Sequence, residues 1–176
     1  MALDRFLAPW QGEAFRHLPD VATVNFFDFS RAGQGAGNRW NDQGQPTLYL
    51  AGDLAIAMGE WTRHMQVDQG LPAMSVRPRR VYQAAVSLDA VLDLRDPAVW
   101  QTIALDDAPT CFLDPGKAQA TARYVRTMTT AQGLLVPSIM FLDDLSRWNL
   151  VLFLDRLPTP PAWLRIVDQS RLLQVP

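Results

Sequence analysis

Two apolar runs, LLVPSIMF (134–141) and NLVLFL (149–154), stand either side of the polar stretch DDLSRW, and this arrangement constrains the fold most. Both have the length and composition of strands, and the polar stretch between them is a turn, so this region must contribute to a sheet. TLYLA (47–51) is a further short strand, RRVYQAAVSL (79–88) another, Leu92 to Leu94 a short one and Trp163 to Val167 a last one. The aromatic and β-branched run TVNFFDF, Thr23 to Phe29, also has strand character. Helical signals interrupt the strands irregularly. Asp53 is a good N-cap for DLAIAMGEWTRHM, in which Leu54, Ala57, Met58, Trp61 and Met65 fall on one face. Asp96-Pro97 opens a short helix. Pro115-Gly116 opens a long one, KAQATARYVRTMTTAQ, with Gly133 expected at its C′ position. Such mixing predicts an α+β fold, because a doubly wound parallel sheet requires regular alternation. The segment up to about Asp20 carries no clear pattern, and Ala104 to Asp114 looks like an irregular loop.

The chain's 176 residues suit one domain spanning 1–176, and a hydrophobic content of 48% is enough to build a core. A net charge of −2 with dispersed basic residues argues against direct nucleic-acid binding. The cluster Arg77-Pro78-Arg79-Arg80 is expected to be a solvated turn. A single cysteine, Cys111, excludes an internal disulfide and a thiolate metal cluster. No secretory pattern opens the chain and no run reaches the ~18–20 apolar residues of a membrane span, so a cytoplasmic, soluble protein is expected.

Several chemistries can be set aside. His17 and His64 have no partners at metal-ligand spacing, and the Glu60/His64 pair lacks the second histidine of a zinc-protease helix. GQGAG (33–37) precedes neither the Lys-Ser/Thr of a P-loop nor a helix. Ser138 follows a proline in an apolar strand, not the G-x-S-x-G elbow of a hydrolase.

Arg39, Tyr49 and Glu60 remain, on a loop, a strand and a helix. Arg39 follows glycines that permit close approach and can clamp a phosphate; a surface arginine is the plainer reading. Tyr49 can stack on a flat heterocycle or be a core tyrosine with a bonded hydroxyl. Glu60 lies between Gly59 and Trp61 near the buried face; pairing with Arg63 or His64 is its ordinary alternative. Ser138 reads equally as a backbone-bonded core serine, and Asn149 as a turn or register residue.

The blocks NRWND, then G-x-P-x-LYLA, then A-x-x-E-W, followed much later by PS and NLVLF, resemble the RES domain family, named for an arginine, a glutamate and a serine. The likeness covers about Phe26 to Phe153, with a motif-bearing core of about 22–156. It implies an ADP-ribosyltransferase-like mixed sheet with flanking helices, and the activity of bacterial toxins that degrade NAD. By matched position it implies that Arg39, Glu60 and Ser138 are the catalytic set. It places Arg39, Tyr49 and Ser138 against substrate, with no metal and with NAD as substrate rather than recycled cofactor. The expected reaction is cleavage of the nicotinamide–ribose bond by water or phosphate. The alternatives are ADP-ribosyl transfer to a protein, or a silent nucleotide- or partner-binding domain. The toxin role implies a cognate DNA-binding antitoxin of the Xre type; self-association is left open.

Overall fold

The structure is a computed structural model that describes residues 3–34, 37–68, 70, 78–159 and 161–172. Six strands carry it: β1 (Leu7–Pro19), β2 (Thr47–Ala51), β3 (Arg79–Asp93), β4 (Gly133–Pro137), β5 (Trp148–Phe153) and β6 (Leu164–Leu172). They lie in the order β1-β2-β5-β4-β3-β6, with β1 also paired along β3, so the pairings β1-β2-β5-β4-β3 run in a circuit. All neighbours are antiparallel except β3 and β4. The helices are α1 (Leu54–Arg63), α2 (Pro97–Thr102) and α3 (Pro115–Met128). This is the mixed α+β architecture expected.

The central strands are apolar because both their faces are covered. Leu150 and Leu152 of β5 join Leu48, Leu50 and Leu135 in one core cluster. Val151 and Phe153 point the other way, joining Leu134, Val136, Phe112 and the α3 residues Ala118, Ala122 and Val125 in a second. The two-residue period of a strand therefore sends Tyr49 to the α3 side, between Leu48 and Leu50 on the other.

Several local expectations are corrected. Thr23–Phe29 is not a strand: Asn25 and Asp28 side chains accept from the backbone N–H groups of Phe27 and Ser30, closing successive turns. Phe26 is buried there, 4.8 Å from the Tyr82 ring, so its aromatic signal was a core contact. The patternless N-terminal segment is β1, held extended by its pairing with β3 from Leu7↔Leu92 to Pro19↔Arg79. Leu92 is not on a separate strand but continues β3.

Gly133 does not cap α3. The helix stops at Met128, Thr129 is extended, and the Thr129 hydroxyl accepts from Ala131 N–H. Gly133 instead opens β4, where a Cβ would stand 2.7 Å from the Val151 carbonyl oxygen. β4 ends at Pro137, so Ser138 lies just beyond the strand. Arg79 and Arg80 are not in a turn but in β3, bonded to His17 and Asp20; Arg77 lies outside the described residues. On α1 the buried residues are Ile56, Ala57 and Met58, because Phe15 and Phe141 pack on that side; Leu54, Trp61 and Met65 are only partly covered. No helix among the described residues is long and apolar enough to cross a membrane.

Candidate active site

A cleft of about 690 Å³ opens between α1, the turn Asn38–Asn41, the start of α3 and the C-terminal part of β1. That volume lies in the range of small-molecule sites. Arg39, Tyr49 and Glu60 all line it, joined by Arg16, His17, Trp61 and Asn149.

Glu60 is not in the surface ion pair that its helical neighbours suggested. Its Oε1 accepts from Ser138 Oγ at 2.6 Å, Ile139 N at 3.1 Å and Asn149 Nδ2 at 3.1 Å. All three bonds fall on one oxygen, so the carboxylate plane is set while Oε2 carries none of them. The Asp53 side chain caps α1 through Ile56 N at 2.7 Å. β5 holds Asn149 opposite Ala51 and Val136. Ser138 is fully buried beneath Glu60 and is not among the lining residues; its hydroxyl donates to Glu60 and accepts from Met140 N–H.

Arg39 sits at the corner of a tight turn in which Asn41 N–H returns to Asn38 O. Its Nη1 donates to the carbonyls of Phe112 and Leu113, both at 2.8 Å. The Tyr49 hydroxyl donates to Asn41 Oδ1 at 2.7 Å and accepts from Trp40 N–H at 3.1 Å. Burial pushes its phenol above the usual range, so it remains a donor.

The lining is electropositive. Arg16, Arg39 and Arg63 face it, and Glu60 is the one carboxylate among the described lining residues. Burial draws the Arg16 guanidinium down to about 10, which leaves it protonated at neutral pH. Such a balance favours an anionic ligand and leaves one negative charge at a chosen point. Cys111 offers no nucleophile: it is buried, and burial with the neighbouring Asp107 pushes its thiol up to about 11. Among the described residues no group of three His, Cys, Asp or Glu side chains is placed to hold a metal.

His17 ties the cleft wall together. Arg79 Nε donates to its Nδ1 at 3.0 Å; an arginine only donates, so the ring proton is on Nε2, which bonds Ala57 O of α1 at 3.2 Å. Burial, then the Arg79 charge, lower its pKa to about 4. The unfolded chain takes this proton near 6.5 and the folded protein only near 4, so the His17 contribution to stability falls as pH drops between those values and is constant below. With the ring partly exposed, the loss is expected to be about 2 kcal/mol. Urea unfolding at pH 7 and pH 4.5 should show it in the wild type and not in His17→Gln.

Two features escaped sequence reading. Asn149 looked like a register residue, although a lone amide heading an apolar strand was an available signal. Arg16 and His17 lay in the segment without pattern.

The sequence matches the RES domain over residues 14–173. The chain belongs to the RES domain family. No curated protein matches it. Among solved structures, a chain of the M. tuberculosis MbcT-MbcA toxin-antitoxin complex is similar, with a TM-score of 0.74 and 24% identity, covering 97% of this chain and 90% of that one. At that identity the likeness is one of fold. Within this RES domain, Arg39 and Glu60 stand on the cleft wall and Ser138 lies buried behind Glu60 as its support.

Proposed function

We propose that this RES domain consumes NAD by cleaving the nicotinamide–ribose bond, with water or phosphate as acceptor. The observation that carries this reading is Glu60: a single carboxylate, fixed through one oxygen, on the wall of an arginine-lined cleft. As the bond to nicotinamide lengthens, positive charge develops on the ribose ring and C1′. Nicotinamide departs with the bonding pair as a neutral base, so no acid is required to protonate it. Glu60 Oε2 accepts a hydrogen bond from a ribose hydroxyl and stabilises the cationic sugar. The acceptor oxygen then bonds to C1′ and, for water, sheds a proton to solvent. Arg39 and Arg16 suit the pyrophosphate.

Membership of the RES family, and the fold shared with a chain of a toxin-antitoxin complex, support a toxin role. The proposal extends to a cognate antitoxin of the Xre type and to action on the cytoplasmic NAD pool.

The test is nicotinamide release from NAD by purified protein, with and without inorganic phosphate. Phosphate dependence would identify phosphorolysis, and transfer of label from NAD to protein would favour ADP-ribosyl transfer instead. Intact NAD under every condition overturns the reading. Ser138→Ala should lower kcat by about 10–100-fold with KM little changed, because it removes a support of Glu60 rather than a substrate contact. A rise in KM alone would contradict that role.

A further inference from the structure

We propose, building on the NAD reading, that Tyr49 acts through Arg39: its hydroxyl, rather than its ring, sets the turn that presents the arginine to substrate. The turn Asn38–Asn41 is held at each of its residues. Gln119 Nε2 of α3 donates to Asn38 O at 2.9 Å. Trp40 is buried, with its ring 4.9 Å from that of Phe112. Asn41 is 3% exposed and its Nδ2 donates to Asp42 O. Asp42 itself is held by both Arg123 Nε and Nη2 at 2.8 Å. The Arg39 side chain reaches from this frame to the Phe112 and Leu113 carbonyls, which hold its Nη1 at the cleft.

Within that frame the Tyr49 oxygen satisfies two groups at once, the Trp40 N–H and the Asn41 Oδ1. The Trp40 N–H belongs to the peptide that follows Arg39 and Asn41 is the next residue, so loss of one oxygen orphans a donor and an acceptor in the buried half of the turn. The ring packs against the core cluster containing Trp40, Phe112 and Val151. β2 holds Tyr49 in register with Val151, so the hydroxyl is a rigid post rather than a mobile contact. Tyr49 is thus a positioning residue for Arg39.

Tyr49→Phe keeps the ring and deletes the oxygen. The expected result is a rise in KM for NAD of about five- to tenfold with kcat within about twofold, the mark of lost uniform binding. Tyr49→Phe added to Arg39→Gln should weaken binding no further than Arg39→Gln alone. Hydrogen exchange at the Trp40 amide should speed up at least about tenfold, a readout that needs no NAD chemistry. Wild-type kinetics in Tyr49→Phe, with a loss only in Tyr49→Leu, would assign the role to the ring and overturn the proposal. So would additive effects with Arg39→Gln, a lowered Tm with unchanged KM, or an unaltered Trp40 exchange rate. A wild type that leaves NAD intact sinks the NAD reading itself; the Trp40 exchange rate then still decides whether the hydroxyl holds the turn.

Discussion

Under the proposed NAD cleavage, Glu60→Gln should lower the rate of nicotinamide release by about 10²–10³-fold, the loss expected when a preorganised charge at a developing cation is removed. The substitution is close to isosteric. An amide can still accept through its oxygen from Ser138, Ile139 and Asn149, the three donors now on Oε1. What disappears is the negative charge that the proposed mechanism sets against the ribose, so kcat should fall while KM for NAD stays within a few-fold. An unchanged circular dichroism spectrum and Tm would show that the fold survives. A variant retaining more than about a tenth of the wild-type rate would mean that Glu60 does not face the reacting carbon, and the mechanism would have to be rebuilt around another group.

Phe153→Ala is expected to be the most damaging substitution for stability, costing about 3–5 kcal/mol. Phe153 is fully buried at the end of β5 and belongs to the cluster between the sheet and α3. Its ring also lies 3.8 Å from the Arg126 guanidinium carbon and 5.7 Å from that of Arg156. Arg126 is itself buried, bonded to Asp155 and to Thr47 Oγ1, while Arg156 donates to Thr129 O and Ala131 O. Removing the ring leaves a cavity and takes the π face from two cations in a setting with little water. The check is the urea midpoint, with Phe153→Leu as a comparison that fills more of the space. A loss below about 1.5 kcal/mol for the alanine variant would show that the arginines and α3 collapse into the gap.

The residues gathered at the cleft differ in how legible they were. Glu60 was conspicuous because a carboxylate on an apolar helix next to Gly59 and Trp61 has few comfortable places to go. Asn149 was not, because one amide at the start of NLVLF is compatible with any turn. Ser138 was visible by resemblance, yet its burial under Glu60 depends on β4 ending at Pro137. Tyr49 stood open between stacking ring and bonded core tyrosine, and the bonds to Trp40 and Asn41 show the hydroxyl engaged.

By itself the sequence determined the elements whose signals are local. The short apolar run TLYLA, the Asp53 and Asp96 caps, the prolines opening two helices and the apolar runs of β4 and β5 each act over a few residues. Tertiary structure decided whatever depended on a distant partner. β1 is a strand because β3 lies beside it, and the Phe26 segment is not one because its backbone is taken up in Asx turns. Glu60 meets Ser138 and Asn149 across separations of 78 and 89 residues. No periodicity encodes such a meeting, because it depends on where the sheet register brings each strand end, and that is set by the packing of the whole core.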